Sequence, residues 1–395
     1  MERRSSIHST ATAVLPLIVA NAARGMVIPV YRAYSSALLA LQGYSGAEIG
    51  AGLSLAKLIE ALGFPLAGIL SDRGLYIVLI SMSVALMGLA GLLVWSVHGI
   101  VGVVAAYTLM NLSLALWVPS RNTALSALLP FTWRGRGIAL VSIAFNVSRI
   151  AGPLIFAYYF AGRGIEWYRL GFLAIGTPAL VAALLVYALL RNRLSSVTKR
   201  RTPLKTLISL PDRRLTSLYL YALLSRAGVG TWIALMGAVF VKGFGLPEDA
   251  PGLYISISAA SWLLIGYFSG ALTDRFGPRT SLLLAEAAFM ASLFLVSLIP
   301  LLGKTWLLAV TPAAVMETLA LSTYVSAVNK LLTTANHVGI ETGRLNMLVS
   351  LASTLGIYVA GHAYEYSPFL VPGVAILFHV AAFLLLTVYK VAERA

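Results

Sequence analysis

The chain of 395 residues has no cysteine, a single glutamine, 14 acidic residues against 29 lysines and arginines, and only 11% charged residues in all. Each shortage excludes something. Without cysteine there is no disulfide, no thiol nucleophile and no thiolate metal site. With 59% hydrophobic residues and a mean hydropathy of +0.87, a water-soluble fold of this length could not hide so much apolar surface. There are no segments of about ten residues with alternating polarity, which excludes a transmembrane barrel. No G-x-x-x-x-G-K-[ST] phosphate loop is present, so nothing points to a nucleotide-driven pump. No catalytic constellation, metal-ligand set or cofactor motif stands out either.

What is present is a series of long apolar runs. A membrane-spanning helix needs about 20 such residues, and twelve candidates fit at 12–40, 46–70, 75–97, 101–128, 137–160, 169–190, 215–240, 252–272, 281–302, 306–330, 344–364 and 369–389. The fold class is an all-α polytopic membrane protein. The net charge of +15 does not mark a nucleic-acid binder, because its placement follows the topology. Nineteen Lys and Arg fall on the side that holds both termini, four on the other, and six within spans. That bias predicts a multi-pass protein of the cell membrane with both termini cytoplasmic. The N-terminal segment is read as a retained first helix, since its apolar run is too long for a cleaved signal.

The one long hydrophilic break, 191–214, carries eight basic residues and one acid. It divides the chain into 1–190 and 215–395, two six-helix bundles joined by a basic cytoplasmic linker. Segment 203–210 fits either a short amphipathic helix on the anionic leaflet or an irregular loop. The halves read as a repeat. Arg24, Gly43 and Asp72-Arg73 in the first correspond to Arg226, Gly243 and Asp274-Arg275 in the second. The Arg-to-Gly separations are 19 and 17 and the Gly-to-Asp separations 29 and 31.

The segment Gly270-Ala-Leu-Thr-Asp274-Arg275-Phe-Gly277-Pro-Arg279, with its partial copy Gly68-Ile-Leu-Ser-Asp72-Arg73-Gly74, resembles the signature loop of the major facilitator superfamily. The resemblance implies twelve helices in two pseudo-symmetric bundles and secondary active transport by alternating access. It also implies that Asp72, Arg73, Gly270, Asp274, Arg275, Gly277 and Arg279 act as a latch made in one state and broken in the other. Aspartate at such a turn can accept from the positive end of a neighbouring helix. Gly152-Pro153 resembles that family's antiporter motif, with Ser148 in place of its first glycine, and joins the gating set. Tyr107 stands where many drug/proton antiporters of the family carry arginine. Arg226-x-Gly228-x-x-x-Trp232 looks like the seventh helix of organophosphate/phosphate antiporters.

Charges inside spans point to the substrate. An ionised side chain at the bilayer centre costs about 2.5–3.5 kcal/mol even on a lenient scale, so it is expected to face a cavity or a partner. Arg24 and Arg226 lie about 18 Å into their spans, near the midplane. Two guanidiniums converging there would form a fork for a carboxylate or phosphate. Arg149, Trp232 and Asn146 are further substrate-binding candidates. Arg32 is expected to reach the outer interface and Arg121 the inner one. Lys57 and Glu60, three apart, form an internal pair. Glu317 and Glu60 are candidates for proton coupling, and Glu286 is expected to pair with Arg279 or Arg275.

The substrate reading is a small organic anion or phosphorylated metabolite. One alternative is a proton-coupled multidrug exporter of amphipathic compounds. Another, of a different class, is a non-transporting sensor or scaffold on the same fold. The expected partners are a small-molecule substrate, the lipid bilayer and a coupling proton, with the protein working as a monomer and without nucleic acid or cofactor.

Overall fold

In the computed structural model, residues 2–129, 134–191, 215–332 and 338–388 are described, and every regular element among them is a helix. The linker expected at 191–214 lies outside the described residues beyond Arg191. Six helices precede it: α1 (Glu2–Leu41), α2 (Gly46–Leu70), α3 (Tyr76–Ser96), α4 (Gly99–Leu128), α5 (Arg134–Tyr159) and α6 (Ile165–Arg191). After it come α7 (Thr216–Ala238), the long helix Ala250–Leu298, α10 (Leu307–Leu332), α11 (Val338–Tyr366) and α12 (Leu370–Val388). The long helix breaks at Gly277, with φ 80° and ψ 162°, so its arms are numbered α8 (250–276) and α9 (278–298).

Two apolar helical stretches are double length, Gly46–Ser96 with 51 residues and Ala250–Thr305 with 56. At 1.5 Å per residue each is roughly 80 Å long, over twice a ~30 Å hydrocarbon core. Each folds back at a glycine of positive φ, Gly74 (90°) or Gly277 (80°), where an L side chain is strained. The ten apolar stretches among the described residues thus make twelve crossings. Bulky outward side chains such as Leu264 (72% exposed) and Tyr267 (81%) then meet lipid rather than water.

The same backbone feature corrects the repeat. The positive-φ glycine after α7 is Gly245, at 65°, and the one after α1 is Gly43, at 89°. Gly243, the residue matched by sequence, has no such φ. With Gly245, the pairs Arg24/Arg226, Gly43/Gly245 and Asp72/Asp274 all share one offset of 202 residues. The turn conformation, not the glycine count, marks equivalence. At the next turn, Ser45 and Glu48 form a reciprocal cap, with Ser45 N–H donating to Glu48 Oε2 at 2.8 Å, which starts α2 cleanly.

Each half packs as its own bundle, α1 against α5 and α6, α3 against α4 and α6, then α7 against α11 and α12, and α9 against α10 and α12. The halves meet along α1–α7, α2–α11 and α5–α8. These contacts concentrate away from the Asp-Arg turns. At the opposite ends, Ala47 N–H donates to Glu365 Oε2 (3.2 Å), Gly162 N–H to Glu248 Oε2 (2.8 Å) and Ala238 N–H to Ser36 Oγ (3.3 Å). A Cβ on Gly50 would lie 2.5 Å from the Cα of Gly361, so α2 and α11 touch backbone to backbone. Nearer mid-helix, Ser256 Oγ donates to Ile150 O at 3.1 Å and Ser350 Oγ to Glu60 Oε1 at 3.3 Å.

Candidate functional site

Beneath this seal a cavity of about 210 Å³ lies between the halves. Its charged wall is Arg32 from α1, Arg149 from α5, Arg226 from α7 and Glu317 from α10. Apolar cover comes from Ile233 and Met236 of α7, Ile255 and Trp262 of α8, and Leu321 and Val325 of α10.

Each charge is held differently. Arg226 lays its guanidinium 3.6 Å from the ring centroid of Tyr324 and leaves its buried Nε without a partner. Its backbone carbonyl accepts from Ser353 Oγ at 3.1 Å, which ties this turn of α7 to α11. Arg149 reaches across the halves and donates from Nη2 to Ser258 Oγ at 3.2 Å. Thr318 Oγ1 also meets Ser258, at 2.9 Å from its carbonyl and 3.0 Å from its hydroxyl. Glu317 Oε2 accepts from Tyr254 Oη at 2.5 Å and Trp232 Nε1 at 3.1 Å, and Tyr254 lies 3.4 Å from Ser292 Oγ. The carboxylate is therefore fixed from behind by α7 and α8. Arg32 makes no hydrogen bond or ion pair to another described residue, which leaves its fork open to the cavity.

The structure brings together only part of the site expected from sequence. Arg226, Arg149 and Glu317 share the cavity wall. Arg24 does not: it is 2% exposed, stacks 4.3 Å from the Trp117 ring centroid and donates from Nη1 to Asn21 Oδ1 at 3.4 Å. Arg24 on the α4 tryptophan mirrors Arg226 on the α10 tyrosine, so the repeat pairing is visible while only the second-half member faces the cavity. Arg32, expected at the outer interface, takes the place on the wall. Trp232 is a brace for Glu317 rather than a lining residue, and Asn146 donates from Nδ2 to Ser142 O of its own helix at 3.0 Å. Tyr254, Ser258 and Trp262 carried no sequence signal, being common residue types in apolar helices.

Glu60 is not on the cavity wall and pairs with Lys57 at 2.5 Å as its spacing predicts. Glu286 corrects the sequence reading. It is fully buried and meets His379 Nδ1 at 2.6 Å, while Arg279 donates to the carbonyls of Leu386 (3.2 Å) and Thr387 (3.1 Å). Glu286 points inward, seven residues beyond Arg279, where no side chain of the Asp-Arg turn reaches.

At the turns, Asp274 pairs with Lys330 Nζ at the end of α10, 2.8 Å away and exposed. Arg275 lies over the ring of Phe276 at 5.3 Å, and Gly270 faces open space. In the first half Asp72 is half-buried, Arg73 exposed, and Ser71 Oγ donates to Thr123 Oγ1 at 2.9 Å. Gly152 packs α5 on α1, since a Cβ there would lie 2.3 Å from Met26 O, and the carbonyl of Pro153 faces Gly252 across the halves.

Trp232→Phe keeps the ring and removes one donor from Glu317. It is expected to lower stability by about 1.5–3 kcal/mol, the range for a hydrogen bond to a charged group, read as a lower thermal midpoint in detergent. An unchanged midpoint would show that Tyr254 alone fixes the carboxylate.

The Major Facilitator Superfamily profile matches residues 9–357, and the chain belongs to that superfamily. No curated protein sequence matches it significantly. Its backbone is similar to that of a point mutant of the nucleoside transporter NupG, with TM-score 0.74 and 11% identity over 95% of this chain and 99% of that one. A bacterial homolog of the human lysosomal transporter Spinster, inward-facing and unoccupied, gives 0.71 and 16% over 97% and 98%. The xylose transporter XylE from E. coli, partially occluded and inward-open, gives 0.69 and 14% over 98% and 99%. At these identities the likeness establishes the fold alone.

Proposed function

We propose that this Major Facilitator Superfamily member is a secondary transporter that carries a small organic anion, carboxylate or phosphate, by alternating access. One observation carries the reading: three guanidiniums and one carboxylate converge on a single cavity. The wall has a formal excess of two positive charges in a region where uncompensated charge is costly. An anion with one or two negative charges would relieve that excess through forked hydrogen bonds. The volume of about 210 Å³ lies below the 300–1,000 Å³ of drug-sized pockets, which favours a metabolite.

In this reading 1–190 and 215–395 are the two moving bodies, working within one monomer in the cell membrane with both termini cytoplasmic. Closure at the ends opposite the Asp-Arg turns then corresponds to an inward-facing state. Asp72, Arg73, Asp274, Arg275 and Arg279 belong to the latch that closes the cytoplasmic side, and Gly152-Pro153 lets α5 slide between α1 and α8.

Glu317 on the same wall supports a second reading, export of cationic amphipathic compounds in exchange for protons, with Glu60 as the other candidate acid. Counterflow in proteoliposomes separates the two. We expect saturable exchange of an organic phosphate or carboxylate that needs no pH gradient. Flux of a cationic dye that depends on a pH gradient and is lost in Glu317→Gln would favour the exporter. Absence of any flux across the panel would favour a sensor or scaffold.

A further inference from the structure

Outside the cavity, the second half buries an ionisable cluster that the anion site does not use. Glu286 of α9 is 0% exposed and so is His379 of α12. Glu286 Oε1 accepts from Tyr221 Oη at 2.6 Å and Ser225 Oγ at 2.8 Å, both on α7. Its Oε2 meets His379 Nδ1 at 2.6 Å. The imidazole stacks on Phe289 at 4.6 Å and 15°, and its Nε2 is buried with no hydrogen-bond partner. Nε2 points at Gly228 of α7, where a Cβ would lie 2.8 Å away.

We propose that Glu286 and His379 form a proton-binding site of the transporter, separate from the cavity. The reason lies in the proton inventory. With one proton in the Nδ1···Oε2 contact, whichever atom it is drawn on, and none on Nε2, the pair carries one net negative charge. A second proton adds at Nε2 and gives an imidazolium–carboxylate pair of net charge zero. A buried carboxyl and imidazole in a membrane protein, with the carboxylate satisfied by Tyr221, Ser225 and His379 and one ring nitrogen unpartnered, has a place for that second proton.

The cluster is wired to α7. Ser225 precedes Arg226 in the chain, and Tyr221 lies 6.0 Å, ring to ring, from the Tyr324 on which Arg226 stacks. The other charged groups on the packed elements have partners of their own. Arg279 on α9 is bound to the carbonyls of Leu386 and Thr387, and on α11 Glu341 pairs with Arg344 at 2.5 Å. Proton uptake removes one negative charge beside the turn of α7 that carries Arg226 and loosens the demand on Tyr221 and Ser225. Coupling to substrate rests on the anion reading of the cavity: proton and anion then bind in support of one another. α7 also meets α1 across the halves, where a Cβ on Gly237 would lie 2.1 Å from Ala33 O. The same helix thus links proton, substrate and closure.

The test needs no substrate. The chain has no cysteine, so Ala139→Cys on α5 and Asn329→Cys on α10, both exposed and both near the Asp-Arg side, can carry the only two spin labels. Electron–electron distance measurement in lipid nanodiscs is expected to show the ratio of open to closed populations changing at least about fivefold, the lower end of typical coupling, between about pH 8 and pH 5. In Glu286→Gln and in His379→Gln the ratio is expected to stay constant across that range. Tyr221→Phe, which removes only a hydroxyl, is expected to displace the midpoint and carries the test if the other variants misassemble. A shift that persists unchanged in all three variants would overturn the proposal. So would a distance that never responds to pH, or a response lost only in Glu317→Gln. If the populations respond as expected while no anion is carried, the proton site stands and the anion reading falls.

Discussion

Arg226→Ala is expected to lower organic-anion exchange by roughly 30-fold to a few thousand-fold. Truncating one member of a desolvated, hydrogen-bonded charge pair costs about 2–5 kcal/mol, and 1.4 kcal/mol is tenfold. Arg226 is poised for that role because it lines the cavity and its stacking on Tyr324 at 3.6 Å fixes the plane of the fork. Arg226→Lys keeps the charge and loses the planar fork, so an intermediate loss is expected. Arg32→Ala should behave like Arg226→Ala, since both guanidiniums line the same space. Arg24→Leu is the contrast. Its partners are Trp117 and Asn21, so it should lower thermal stability and leave the KM for the anion nearly unchanged. Counterflow initial rates over a range of anion concentrations decide this. Equal KM effects at Arg24 and Arg226 would return the site to the symmetric fork, and unchanged exchange in Arg226→Ala would remove the anion reading.

The contrast between Arg24 and Arg32 also shows how much of the site is legible in the sequence. Depth along a helix is readable, because each residue adds about 1.5 Å. That places both arginines within the first span. Direction around the axis is not readable. Eight residues turn a helix by about 80° beyond two full turns, enough to aim Arg32 at the cavity and Arg24 at α4. In a soluble helix a polar face would fix that rotation, but lipid and core are equally apolar, so a buried span has no such face. Glu286 escapes a sequence reading for a related reason. Its partner His379 is 93 residues away on another helix, and only the packing of α9 on α12 joins them. Lys57–Glu60 is readable because the i, i+3 relation is local. The twelve spans, the two turns and the repeat are legible because length, glycine and charge placement are properties of single segments. The convergence of α1, α5, α7 and α10 on one cavity is a property of the whole bundle.

Gly361→Val should trap the transporter in the state open on the side away from the Asp-Arg turns. In the present state α2 and α11 touch there through Gly46, Gly50 and Gly361, with Gly361 approaching the backbone of Gly50 within a side chain's breadth. A valine has no free space to occupy, and both neighbours are backbone atoms that cannot rotate away. Overpacking of this kind costs about 1–3 kcal/mol. It acts only when these ends are closed, so it shifts the equilibrium between states rather than unfolding either half. By 1.4 kcal/mol per tenfold, the closed population should fall about 5- to 150-fold, and turnover with it. Glu365 and Glu248 would lose their contacts to Ala47 and Gly162 in the same step, which adds to the shift. Gly361→Ala, with one methyl, should fall between wild type and valine. The spin-label pair at 139 and 329 reads the outcome directly, as a shorter distance on the Asp-Arg side in the valine variant. If that distance were unchanged while the protein stayed folded, the two ends of the molecule would not move in opposition, and the latch at Asp274 and the seal at Gly361 could not belong to one rocking motion.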